Sequence, residues 1–321
     1  MNYLVTGGTG FIGAYVVKRL LAEGHTVTVF DLHPDVNFLQ RLLLACHLEV
    51  PRIVQGDVTD LPKVLQATRE ARAERIVHLA ALLGKKSDEN ALQSLRVNCE
   101  ANINVFESAL ALGVKRVVWG SSVAVFGPPN KRSETTGVAN DAVHAPVGLY
   151  GACKSLSEHL CKYYRRTHGL DCLGLRYSLV YGYGKSGTVA RGTGGEFLSE
   201  LIDNPALGKK GVVPAGDAIL DFIYVEDAAR ATVLATQTLN NNSPALNVVG
   251  QRMRLREVAE LMRHLVPDAD LIVQEGSWEG TDHHYDSVTT LREIGYEAQV
   301  SIEEGLRRNI DDLRRQSFDA G

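Results

Sequence analysis

Four glycines fall within seven residues, at Gly7, Gly8, Gly10 and Gly13, between the apolar run Tyr3–Thr6 and the amphipathic stretch Phe11–Ala22. Gly8, Gly10 and Gly13 satisfy GxGxxG, and Gly7, Gly10 and Gly13 satisfy the GxxGxxG variant. A strand that ends in such a turn and re-enters a helix has few structural destinations. One glycine makes the tight turn, Gly10 lets the backbone approach a bound pyrophosphate, and Gly13 lets the helix lie close to the sheet. The phosphates then meet a helix N-terminus, whose free N–H groups and dipole favour anions. The turn therefore predicts a dinucleotide-binding strand-helix-strand unit.

Further along, runs rich in Val, Ile and Leu predict strands buried on both faces. They lie at Tyr3–Thr6, Thr26–Phe30, Arg52–Gln55, Arg75–Leu79, Arg116–Trp119 and Cys172–Arg176. Helical patterns separate them, at Phe11–Ala22, Val36–His47, Leu61–Ala73, Asn90–Leu112 and Tyr150–His168. The fold class that follows is α/β, a doubly wound parallel Rossmann sheet. After Arg176 the texture changes: residues 182–195 hold six glycines and read as one long loop, and the helices beyond are shorter. Residues 1–180 are assigned to the dinucleotide-binding domain, rejoined by 215–250. Residues 181–214 and 251–321 form a smaller, discontinuous C-terminal substrate lobe. Charges balance, with 34 Lys+Arg against 38 Asp+Glu, which gives no reason to expect a nucleic-acid or membrane partner. The chain has no apolar run long enough for a bilayer and no signal-peptide layout at its start. With five cysteines and no CxxC pair, it is expected in the reducing cytoplasm.

Asp31 closes the second strand, 24 positions after Gly7. A carboxylate there accepts both ribose hydroxyls of an adenosine and repels a 2′-phosphate, so the expected cofactor is NAD rather than NADP. Asp57-Val58 and Leu79-Ala80-Ala81 follow the third and fourth strands, where strand ends line the cleft; Asp57 equally suits a helix N-cap. Tyr150 and Lys154 lie one turn apart on one helix face. An ammonium beside a phenol favours the phenolate, so that Tyr150 can take or return the proton of a substrate alcohol. Ser122, at the end of the fifth strand, is placed to polarise the substrate oxygen. Cys153 is expected on the inner face of the same helix. His283-His284 with Asp282 and Asp286 fit no zinc spacing, and no metal is expected.

Together these residues resemble the extended short-chain dehydrogenase/reductases, also called the NAD-dependent epimerase/dehydratase family. The resemblance rests on Thr6–Gly13, Asp31, Asp57-Val58, His78–Ala81, Asn98, Gly120–Ser122, Tyr150 and Lys154, and continues through Arg176-Tyr177, Val180–Gly182 and Asp221–Asp227. It spans nearly the whole chain. It implies Ser122, Tyr150 and Lys154 as a catalytic triad. It also implies an NAD site lined by Gly7, Gly10, Phe11, Ile12, Asp31, Asp57, Val58, Leu79, Ala80, Ala81, Asn98, Tyr177 and Val180, with Tyr150 and Lys154 reaching the same cofactor. A homodimer pairing the helices at 90–112 and 150–168 is a further implication.

Departures from the family bear on substrate. Ser122-Val123-Ala124 lacks the acid and base that its dehydratases carry there, which weighs against water elimination. Leu179 and Leu220 stand where sugar-nucleotide members carry an Asn and an Arg that hold a diphosphate. Each charge-assisted hydrogen bond so lost is worth ~1.5–3 kcal/mol. Lys85, Lys86, Lys185 and Arg191 are the cations left to replace them. The expected function is an NAD-dependent oxidoreductase acting on a secondary alcohol or ketone of a small sugar-like or hydroxy-acid substrate. One alternative is a sugar-nucleotide 4-epimerase using the same triad. Another is a non-catalytic NAD-sensing protein, a class that typically loses the tyrosine or lysine this chain keeps.

Overall fold

The computed structural model describes residues 1–128, 137–189, 195–239, 241–278 and 282–319. Its strands are β1 (Asn2–Thr6), β2 (Thr26–Asp31), β3 (Arg52–Gln55), β4 (Arg75–His78), β5 (Arg116–Ser122) and β6 (Cys172–Tyr177). Six shorter or later strands follow: β7 (Leu179–Tyr181), β8 (Gly211–Val213), β9 (Ile219–Tyr224), β10 (Ala245–Val248), β11 (Gln251–Arg254) and β12 (Leu271–Val273). Seven of them form one sheet ordered β10-β6-β5-β4-β1-β2-β3, with every pairing parallel. The chain turns back between β1 and β4, which opens a crevice at the carboxyl ends of those strands. Two small sheets, β11-β9-β7 and β12-β8, carry the later strands.

Alternate residues of one strand face opposite sides, and the core divides accordingly. Val5, Val77 and Val118 pack with Tyr15, Leu20 and Ala228 from helices Phe11–Ala22 and Val225–Gln237. Leu4, Ile76 and Val117 pack with Val64, Phe106 and Tyr164 on the other face. Because helices cover both faces, β4 and β6 are buried along their whole length. That is why their sequences read as unbroken apolar runs.

Two expected elements differ. The stretch 90–112 is not one helix but Ala91–Leu95, a wide π-turn over Arg96–Glu100, and Ala101–Leu112. The Asn98 carbonyl there receives Asn102 Nδ2 at 2.7 Å and Ser157 Oγ at 2.8 Å, so side chains occupy an acceptor of the helix ladder. The expected loop 182–195 contains a short helix, Lys185–Val189; residues 190–194, with Arg191, lie outside the described residues. Among the described residues no helix is long and apolar enough to cross a membrane.

Candidate active site

Gly7 has φ +66°, and a Cβ on it would lie 2.7 Å from the Ala80 nitrogen, so the turn after β1 touches the chain leaving β4. A Cβ on Gly13 would lie 2.1 Å from the Gly7 carbonyl oxygen; the helix starting at Phe11 rests directly on the turn. Gly10 caps that helix with no side-chain hydrogen bond, which leaves its first amides to an outside acceptor. Asp31 Oδ2 accepts from Thr9 N (3.2 Å) and Thr9 Oγ1 (2.7 Å), fixing its carboxylate beside the turn. A carboxylate offers about four lone-pair sites, so acceptor capacity remains for ribose hydroxyls. This cradle fits a dinucleotide.

The neighbouring expected residues act on the backbone around the crevice. Asp57 Oδ1 accepts from the nitrogen and hydroxyl of Thr59, both at 2.8 Å, while Asp60 caps helix Leu61–Glu70; the capping role falls to Asp60. Val58 is buried and its carbonyl accepts from Asn104. Asn98 is buried and clamps Leu82 from both sides, accepting from its nitrogen (3.0 Å) and donating to its carbonyl (2.9 Å). It thereby holds the chain that follows Leu79, Ala80 and Ala81. Lys185 Nζ lies 5.8 Å from the centroid of the Phe11 ring, at the glycine turn. Lys85 and Lys86 are exposed.

Tyr150 and Lys154 stand on helix Leu149–His168. A buried network fastens this helix to the sheet. Glu158 accepts from Ser121 Oγ on β5 and from Arg176 Nε and Nη2 on β6, each at 2.7 Å. Lys154 Nζ donates to the Gly120 carbonyl at 2.6 Å and lies 5.6 Å from the Tyr150 ring centroid. Ser122 neighbours the Tyr150 phenol and accepts from Ala124 N at 3.2 Å. Burial pushes the Tyr150 phenol up to about 12, partly offset by the nearby Ser122 hydroxyl, and pulls Lys154 down to about 8. The expected lowering of the Tyr150 pKa by its lysine is thus overturned in the protein alone, where desolvation dominates. Cys153 is buried beside Ser94. Tyr177 packs its ring toward Gly120 while its hydroxyl bonds Thr232 at 2.7 Å on the far side, and Val180 is buried in β7.

Ser122 and Tyr150 open onto a cleft of about 540 Å³, whose opposite wall carries Leu179, Leu220, Asp221, His283 and Tyr285. No Lys or Arg is among the described residues lining it. Asp221 accepts from Gly250 N at 2.8 Å, and burial holds its carboxyl above the usual range. His283 is buried and its neighbour His284 exposed, so the pair does not share one ligand position. Among the described residues no group of three or more His, Cys, Asp or Glu is arranged to hold a metal. His283 and Tyr285 are the wall residues that spacing did not disclose; Asp221 belongs to a segment the resemblance had already marked.

A family model described as the NAD dependent epimerase/dehydratase family matches residues 3–250. A UDP-glucose 4-epimerase of Neisseria meningitidis serogroup B is 30% identical over 255 residues, covering 74% of each chain. One from Azospirillum brasilense is 28% identical and covers 82% of this chain and 76% of its own. Among solved structures, a UDP-glucose-4-epimerase from Stenotrophomonas maltophila with bound NAD and formylated UDP-arabinopyranose is similar at TM-score 0.87 and 26% identity, covering 99% of both chains.

Proposed function

This chain belongs to the NAD-dependent epimerase/dehydratase family, and from that premise we propose that it is an oxidoreductase interconverting a secondary alcohol and a ketone of a small, polyhydroxylated substrate. One observation carries the reading. The described lining of the cleft at Ser122 and Tyr150 holds a half-buried carboxyl, Asp221, and no Lys or Arg. A nucleoside diphosphate there would sit near a carboxyl and meet no Lys or Arg among the described lining residues, while Arg252, opposite Asp221 on β11, is paired with Asp282. An uncharged hydroxylated substrate meets no such penalty.

When bound, NAD supplies the acceptor and donor of hydride. The chain's own groups manage the proton and the oxygen. Ser122 Oγ donates a hydrogen bond to the substrate oxygen, and Tyr150 Oη removes the alcohol proton or returns it. Lys154, charged below about pH 8, favours the phenolate through its ammonium. Asn98 keeps the chain after β4 in place through Leu82. Residues 181–214 and 251–321 serve as the substrate lobe, and two copies pair through helices Ala101–Leu112 and Leu149–His168.

A second reading, sugar-nucleotide 4-epimerisation, is favoured by the names of relatives 28–30% identical across 74–82% of this chain. The two part on net redox change. Polyols, sugars and hydroxy acids, offered with NAD, are expected to yield accumulating NADH with at least one of them. UDP-galactose converted to UDP-glucose without NADH would establish the epimerase instead. With the productive substrate, Tyr150→Phe is expected to lower turnover by ~10²–10⁴ while the fold stays intact. Unchanged turnover would remove Tyr150 from the chemistry.

A further inference from the structure

Helix Leu149–His168 carries Tyr150 in its first turn, Lys154 in its second and Glu158 in its third. The second and third turns are fastened to the sheet, Lys154 through the Gly120 carbonyl and Glu158 through Ser121 and Arg176. The first turn is held differently. Gly148 caps the helix with no side-chain hydrogen bond, and the chain leading to it lies out in water, with Val143 88% and Val147 84% exposed. The first amides of the helix therefore need an acceptor from elsewhere. Asp88 supplies one: its Oδ1 accepts from Leu149 N at 3.1 Å. A Cβ on Gly148 would lie 3.7 and 3.8 Å from the two Asp88 carboxyl oxygens, so the whole group lies against the helix start. On the other side, a Cβ on Gly151 would lie 2.5 Å from the carbonyl oxygen of Ala124, whose nitrogen donates to Ser122. Asp88 is itself held from below. Its short helix, Gly84–Glu89, is pinned by the buried Ser87, whose hydroxyl bonds that of Ser94. Ser94 in turn accepts from Asn98 Nδ2 at 3.3 Å, and Asn98 clamps Leu82. The side chain that meets the Tyr150 turn is thus tied to the chain that follows β4.

We propose that Asp88 is a positioning residue: by accepting from Leu149 N it holds the first turn of the helix, and with it the Tyr150 phenol, in the geometry for proton transfer. The proposal rests on the reading of Tyr150 as the group that moves the proton. Leu149 directly precedes Tyr150, so a turn released at Leu149 N frays through Tyr150 while Lys154 and Glu158 keep their sheet contacts. A phenol displaced by a fraction of an ångström from the reacting oxygen loses rate without losing substrate affinity. An anionic group at a helix N-terminus also complements the dipole. An amide in its place keeps the bond and drops the charge, which separates the two contributions.

Fluorine NMR on the NAD-loaded enzyme carrying 3-fluorotyrosine tests the tether without turnover. The Tyr150 resonance is assigned by its loss in Tyr150→Phe. Asp88→Ala is expected to shift and broaden it, and Asp88→Asn, which keeps the accepting oxygen, to restore it. An unmoved resonance in Asp88→Ala, or one that Asp88→Asn does not restore, overturns the proposal. Kinetics use whichever of xylitol and UDP-galactose is turned over; where neither is, the spectra decide alone. Asp88→Ala is expected to lower kcat about ten-fold with KM within about two-fold, and Asp88→Asn to recover most of that loss. Ser301→Ala is the control for a merely structural loss, since Ser301 Oγ accepts from Glu304 N at 3.2 Å at the start of helix Ile302–Asp319. It is expected to give a comparable small drop in Tm and to leave kcat unchanged. Wild-type kcat in Asp88→Ala, or an equal kcat loss in Ser301→Ala, overturns the assignment. Tyr150→Phe with undiminished turnover defeats the reading of Tyr150 on which the assignment rests, while the fluorine spectra still judge the tether to Leu149.

Discussion

His78 ends β4 with Nδ1 2.6 Å from Thr6 Oγ1 and with Nε2 buried and unpartnered among the described residues. Burial, reinforced by the Lys154 charge, pulls its pKa down to about 3. The unfolded chain takes up a proton below about pH 6.5 that the folded chain refuses until far lower pH. Stability is therefore present above about pH 6.5 and lost as pH falls through that window. At about pH 5 this group alone is expected to cost about 2 kcal/mol relative to neutral pH. His78→Asn, which keeps a partner for Thr6, should lose that share of the acid sensitivity. Urea midpoints at neutral pH and about pH 5 check it; equal losses in both proteins would place the sensitivity elsewhere. The same logic explains what sequence spacing could not disclose about Tyr150. Its helical offset from Lys154 is legible, but the direction of its pKa depends on desolvation, and desolvation is a property of the assembled site.

Elements were legible where their environment was simple. Strands β1, β2, β4, β5 and β6 read correctly because helices on both faces demand continuous apolar runs, and the glycine turn read correctly because each close approach needs a missing Cβ. The three-residue strands β7, β8 and β12 are too short to show any period. Residues 182–195 misled for a specific reason: Gly182, Gly184 and Gly195 take φ of +140°, +96° and +87°, so they bracket the helix Lys185–Val189 rather than forbid it. The glycine turn yields a prediction at this scale. A methyl on Gly13 would press on the Gly7 carbonyl and the Gly8 Cα, backbone atoms that cannot rotate away. Gly13→Ala is expected to lift helix Phe11–Ala22, destabilising the fold by about 1–3 kcal/mol and weakening NAD binding. Thermal melts and NAD titration read both effects. Gly187→Ala, where a Cβ meets nothing within 4 Å, is the control and should leave NAD affinity unchanged.

For the whole molecule, the proposed homodimer draws on side chains the single chain leaves in water. Leu92 and Leu95 precede helix Ala101–Leu112, Leu156 and Tyr163 lie on helix Leu149–His168, and all four are exposed. Light scattering is expected to give twice the chain mass, and Leu95→Glu with Leu156→Glu is expected to give the monomer. A monomeric wild type would end that proposal. The layout of the cleft has a consequence for synthesis. Ser122 and Tyr150 stand in the first half of the chain, whereas Asp221, His283 and Tyr285 come after its midpoint. A ribosome working from the N-terminus delivers the glycine turn and β1 to β4 first, the helix carrying Tyr150 and Lys154 next, and Asp221, His283 and Tyr285 after all of these. The proposed chemistry of the site is thus translated before the opposite wall of its cleft.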